Sequence, residues 1–448
     1  MHKPASLNLL VAVHPLVAVG RRVAVFLFAT ALLAACSDQG ATVVSESDTV
    51  DIPVDESVIF ITNAHIIDGA GNVFERGSLL IEEGRISEVG SGIVEPLNAL
   101  VIDAGGKTVM PGFIEGHRHI IRGNPDEWMA SQSETSMQEF LDAGFTTVLS
   151  AIDAPQILEL RRRINEGEIA GPRLLTGSFV PINSLPPGEP TTDPARTDVS
   201  RPPNRPTEPA GRIPDQVIID AVNNAADAGF DFTKTVVTVT PNGPEVESLT
   251  LMVEETHKRG LKAIVHAVGK WDLLEVIKAK PDHLVHTPHI GQLTEEEVQT
   301  IVDAGIPMVS SLGTLGIFYD ENNQPIFRDG YPYSWDTLPS VGQGPVNARL
   351  LWNAGITYGF GTDTTFNPRE TLKHELKTLF LVFSEQDIIE IMTEHTAKAV
   401  FLEDEIGSLE PGKAADVVII DGDPLDDLFD LLKVDLVIKD GHVVVNRM

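Results

Sequence analysis

Between residues 109 and 405 the chain repeats one pattern eight times: a short apolar, β-branched run, then a stretch with helical spacing. The runs fall at 109–116, 145–150, 173–180, 232–237, 262–268, 283–287, 307–312 and 357–362. Strands separated by helices return to the same edge and lie parallel. Eight such units close into a (β/α)8 TIM barrel, which takes roughly 250 residues. The helical stretches carry start signals. Those at 214–228 and 244–259 open on proline, suited to a first turn, and Ser384 precedes Asp387 by three residues, a cap-like pairing. One segment breaks the rhythm: 181–213 holds nine prolines and reads as a long loop leaving the third strand, placed to serve as a lid or as a plain insertion.

Outside the repeat the texture changes. Runs at 57–69, 78–90 and 97–109, and again at 415–424 and 434–445, are short, β-branched and broken by Gly-Asn, Glu-Gly and Gly-Gly turns. Neither part can bury a core alone. The expected organisation is therefore a composite β-sandwich from 57–108 and 406–448, flanking a barrel at 109–405. A hydrophobic content of 42% supplies the core that this needs.

The first residues read as an address. An apolar run at 23–35 follows Arg21-Arg22, is too short for a confident membrane span of about 20 residues, and ends in Leu33-Ala34-Ala35-Cys36. That ending resembles the lipobox of bacterial lipoproteins. Residues 1–35 are then a signal peptide, Cys36 a lipid-attachment site, and 36–56, polar and acidic, a flexible tether. The expected location is the bacterial cell envelope, anchored in the outer membrane or on the periplasmic face. Cys36 is the sole cysteine, so no internal disulfide can form. Removing 1–35 takes away Lys3, Arg21 and Arg22 and no acid, leaving 30 basic against 65 acidic residues, a net charge of −35. Phosphate binding needs a positive face, so nucleic acid is excluded as a partner. A small-molecule substrate remains, with a homo-oligomer compatible.

Six residues at the ends of the barrel runs carry chemistry: His117, His119, Lys234, His266, His286 and Asp363. His117 and His119 are two apart, so strand alternation turns both rings to one side, and paired imidazoles suit zinc or a similar divalent ion. Taken singly, His266 could be a buried core histidine and Lys234 a lysine reaching for solvent. Their joint placement at the ends of strands one, four, five, six and eight argues for one site. Arg118, Arg122, Arg369, His289 and His374 are candidates to grip substrate.

Pro111-Gly-Phe-Ile-Glu-Gly-His-Arg-His119 resembles the first-strand metal motif of the amidohydrolase superfamily, Gly361-Thr-Asp363 its eighth-strand aspartate, and Ile406-Gly-Ser-Leu-Glu-Pro-Gly-Lys-Ala-Ala-Asp-Val-Val418 its return to the terminal sandwich. Glu115 departs from the more usual aspartate. Spacing, with Leu372-Lys-His-Glu-Leu376, is most similar to the imidazolonepropionase-like and Xaa-Pro dipeptidase-like branch. The resemblance implies two divalent ions, by default zinc. His117, His119 and Asp363 would hold one, His266 and His286 the other, and Lys234, carbamylated by CO2, would bridge them. It further implies cleavage of an amide or peptide bond in dipeptides or N-acyl amino acids, by water activated between the ions with Asp363 as general base. A lactonase, esterase or phosphotriesterase would use the same centre. A deaminase would carry glutamate three residues after His266, where this chain has Gly269. A non-catalytic surface lipoprotein would have little reason to retain all six residues.

Overall fold

The computed structural model describes residues 55–184, 209–315 and 340–448. Eight parallel strands follow one another around the barrel: Phe113–Arg118, Phe145–Ser150, Arg173–Phe179, Phe232–Val236, Lys262–His266, His283–Val285, Met308–Val309 and Tyr358–Gly359. Beyond the last strand the backbone closes the ring, as Gly116 N–H donates to Phe360 O (2.9 Å) and Asp363 N–H to His117 O (2.8 Å). The expected first strand divides at Gly112. Thr108–Pro111 leaves the barrel and pairs with Val417–Ile420, while Phe113–Arg118 enters it. Gly112 permits the division, because a Cβ there would lie 2.3 Å from Thr146 Oγ1.

Two apolar populations sort by strand face. Ile114, Leu149, Ile264, Val285 and Val309 share a cluster inside the barrel. Their sequence neighbours Phe113, Val148, Val265, Leu284 and Met308 pack outward with Leu160, Val222, Leu249 and Leu376 of the surrounding helices. On burial, each such side chain contributes about 1.5–3 kcal/mol. Helices Asp215–Ala228 and Glu245–Lys258 begin just after Pro214 and Pro244, which sit at the cap rather than in the first turn. Ser384 and Asp387 form the reciprocal cap of Glu385–Glu390.

The terminal strands make a separate sheet. Asp55–Ile67, Val73–Glu82, Arg85–Gly90, Ala99–Asp103 and Thr108–Pro111 join Val417–Ile420, Val434–Lys439 and His442–Asn446 in one hydrogen-bonded network drawn from both termini, as expected. Strand Asp55–Ile67 makes this possible: register shifts near Ala64 let it pair first with Ala99–Asp103 and then with Thr108–Pro111. Ile59, Ile61, Leu79, Val417, Ile419 and Leu436 share its core. Arg173, at the start of the third barrel strand, ties the two parts together through Asp416 (2.7 Å) and Asp440. Asn183–Ser184 pairs with Gly211–Arg212 across the proline-rich loop, most of which lies outside the described residues.

Candidate metal centre

All six residues meet at the C-terminal end of the barrel. The Nε2 atoms of His117 and His119 each stand 3.1 Å from Asp363 Oδ1, and His286 Nε2 stands 3.6 Å from Oδ2. One ligand atom each from His117, His119 and Asp363 fit within 4.8 Å of one another. His286 Nε2 and His266 Nδ1 approach to 2.7 Å, and Lys234 Nζ lies 3.5 Å from His117 Nε2. The group forms an arc that runs from the first and eighth strands to the fourth, fifth and sixth.

Backbone geometry aims the first two ligands. Between Glu115 and Arg118 the first strand advances three residues while the second advances two, so the register slips by one. A slip of this kind reverses the facing of everything beyond it. Ile114 faces the interior, and after the slip His117 and His119 do as well, with Arg118 turned out. Asp363 adopts a left-handed backbone (φ 48°), uncommon outside glycine. The N–H groups of Thr362 and Asp363 both donate to His117 O and hold it there.

Glu115 makes the second anchor, and the sequence reading passed over it. Its carboxylate is fully buried and accepts from His117 N–H (3.1 Å), Thr362 N–H (2.9 Å) and Thr362 Oγ1 (2.8 Å), clamping the first strand to the eighth. Burial pushes its carboxyl up to about 7 against the pull of Arg118. A charged residue inside an apolar strand run was the available signal. Asp153 was also missed: it accepts from the N–H groups of Ile120 and Ile121 (both 2.8 Å) and from Ser150 Oγ, pinning the loop after His119.

Electrostatics suit a cation. Burial holds His117 and His286 well below the usual imidazole value and His266 at about 4, so all three keep their lone pairs at neutral pH. The ring of His119 is oriented by Nδ1–H donating to Ile152 O (2.7 Å), which leaves Nε2 free toward Asp363. Burial alone would raise Asp363, but the neighbouring His286 and His117 hold it far below the carboxylate range. An ionised carboxylate among neutral imidazoles is a donor set that fits zinc and similar ions. Lys234 completes it only if uncharged. Its burial brings the amine down to about 7.

The candidate substrate residues fare differently. Arg118 is 2% exposed, and its guanidinium donates to Thr362 Oγ1 (2.7 Å), Thr371 Oγ1 (2.8 Å) and Phe366 O. The expectation that it grips substrate is corrected, because the strand turns it outward beneath the helices. Arg369 donates to Leu432 O, away from the centre. His374 bonds Gly313 O (2.8 Å) at the loop after the seventh strand. His289 is buried and held at about 3 by burial, first, and by its neighbour His266. Arg122 and Phe366 line a small cavity with His119. Cys36 lies outside the described residues.

Comparison with known proteins agrees with this geometry. A 5-methylthioadenosine/S-adenosylhomocysteine deaminase of Symbiobacterium thermophilum is 26% identical over 437 residues, covering 84% of this chain and 90% of its own. An imidazolonepropionase of Porphyromonas gingivalis is 24% identical over 388 residues, covering 80% and 84%. The solved structure of a putative prolidase from Bifidobacterium longum superposes with a TM-score of 0.68 at 24% identity, over 88% of this chain and 95% of that one. The amidohydrolase family model matches residues 108–444, three quarters of the sequence and every residue of the centre. By that match the chain belongs to the amidohydrolase family, whose members are generally metal-dependent hydrolases.

Proposed function

We propose that this protein cleaves an amide or peptide bond in a dipeptide or N-acyl amino acid, with two divalent ions held by His117, His119 and Asp363 and by His266, His286 and a carbamylated Lys234. The carrying observation is the convergence of four histidines, an ionised aspartate and a lysine on one end of the barrel. When bound, the ions supply Lewis acidity, lowering the pKa of a water and polarising the scissile carbonyl. Asp363 accepts the proton of the attacking water and delivers it to the leaving nitrogen. Glu115 and Thr362 hold that carboxylate in place. The neutral form of the Lys234 amine, about half of the total at pH 7, can attack CO2: the nitrogen bonds to the carbon and releases one proton to solvent, and a neutral amine becomes an anionic oxygen donor. Release of free amine from a library of N-acyl amino acids and dipeptides tests this. Acid release from lactones at a higher rate would favour the ester reading instead.

Deamination is the second reading, favoured by the deaminase relative and by Asp272, whose carboxylate lies 2.5 Å from where a Cβ on Gly269 would stand. Asp272 is already engaged by Val239 N–H (2.8 Å), and the buried lysine favours hydrolysis. Ammonia released from adenosine derivatives would reverse that preference. We also propose a lipid anchor at Cys36 facing away from the cytoplasm. Cys36→Ser then moves the protein to the precursor or soluble fraction, and a mature N-terminus far from Cys36 contradicts the anchor.

A further inference from the structure

We infer that the barrel mouth carries an apolar wall, made by Phe179 and Val236, that selects substrates bearing a hydrophobic group next to the scissile bond. This rests on the hydrolase reading and narrows its substrate class to N-acyl amino acids with an extended aliphatic or aromatic acyl half.

Strand register locates the wall. Phe179 is the direct partner of Lys234, and Val236 is the direct partner of His266. Partners on neighbouring parallel strands lie about 4.8 Å apart and point to the same face. That face is the inner one. Lys234 and His266 both reach the centre, and two residues below them Phe232 and Ile264 belong to the barrel-interior cluster, against which Leu175 also packs. Phe179 follows Leu175 by four residues and Val236 follows Lys234 by two, so both share that facing. They are the last residues of their strands.

Position then makes them unusual. Inward residues lower in these strands are buried or partly buried, whereas Phe179 is 48% and Val236 43% exposed. The two sit diagonally adjacent beside a site of ionisable groups, where water-facing apolar surface is retained at a solvation cost. A partly apolar ligand entering the mouth removes that cost. Of the cations first considered for a carboxylate grip, Arg118 and Arg369 are bonded elsewhere and Arg122 lines the cavity beside His119. The wall adjoins Lys234 and His266, so the group it receives lies on that side of the scissile carbonyl.

The test uses the metal-loaded enzyme and N-acylglycines of increasing acyl length. Each buried methylene is worth about fourfold in kcat/KM, so butanoylglycine should exceed acetylglycine by roughly tenfold or more. Phe179→Ser and Val236→Ser should each cut that ratio by at least about threefold, while Val217→Ser, an equally exposed valine on an outer helix, should leave it alone. Turnover with no dependence on acyl length overturns the wall and leaves the hydrolase reading standing. If no amide is cleaved, calorimetric binding of n-octanesulfonylglycine, which has no carbonyl to hydrolyse, decides the matter. Binding weakened by both serine variants keeps the wall while the hydrolase reading falls, and absent or unchanged binding overturns the wall as well.

Discussion

Removing the Glu115 carboxylate should both destabilise the barrel and loosen its metal. Glu115→Ala removes the acceptor of His117 N–H (3.1 Å) and of Thr362 Oγ1 (2.8 Å), and one of the two acceptors of Thr362 N–H (2.9 Å), which keeps His117 O. It also removes a carboxylate whose charge acts on the 2%-exposed Arg118, which bonds the same Thr362 hydroxyl at 2.7 Å. Hydrogen bonds to a charged group are worth about 1.5–3 kcal/mol each without adding fully. A loss of about 4 kcal/mol in unfolding free energy is expected. Glu115→Gln keeps the volume and one acceptor, so its loss should be nearer 1–2 kcal/mol. Both variants also free the backbone that aims His117 and Asp363, and groups supporting metal ligands typically affect affinity by about 10–100-fold. Urea denaturation and equilibrium dialysis against zinc read the two effects separately. A Glu115→Ala protein within about 1 kcal/mol of wild type that binds zinc equally tightly would refute the anchoring role.

Asp363→Asn keeps shape but removes the base, so kcat on the best amide substrate should fall by at least about two decades. A variant retaining more than about a tenth of wild-type kcat would assign proton transfer elsewhere. Lys234→Ala should lose metal measured by elemental analysis, and short carboxylates should restore part of the activity; full metal content in the variant would contradict a bridging role. His283 is fully buried, donates Nδ1–H to Ala399 O and is held by burial at about 4, below the ordinary 6.5. As pH falls below 6.5 the unfolded chain gains a proton that the folded chain refuses, so stability drops until about pH 4. In metal-stripped protein His283→Leu should flatten the stability–pH slope across that window by up to one proton, about 1.4 kcal/mol per pH unit, and an unchanged slope would mean His283 is protonated when folded.

Much of this was legible because barrels distribute chemistry along the sequence in a regular way. The run–helix alternation placed seven barrel strands and the inner part of the first, and a charged or imidazole side chain ending an apolar run marked each residue of the proposed centre. Two kinds of information were not local. The division of the first strand at Gly112 depends on Thr146 and Asp416, both distant in sequence. The role of Glu115 depends on Thr362, 247 residues away, so a strand acid read alone passed for a neutral departure from the family motif. Arg118 failed for a related reason. Beside two inward histidines it looked available to substrate, but alternation turns it out, and its partners lie on the eighth-strand loop and the helix Pro368–Leu379. The change of pairing partner along Asp55–Ile67 was hidden as well, because it rests on register shifts that composition does not encode.

The central claim is that metal held by the six-residue centre drives amide hydrolysis. The direct measurement is a titration of zinc into chelator-stripped protein, following bound metal and amine release from an N-acyl amino acid together. Activity should be absent without metal and should rise to a plateau near two equivalents per chain, as a two-ion site requires. Amide hydrolysis that persists in the stripped protein, or a chain that binds less than about one equivalent, would contradict it.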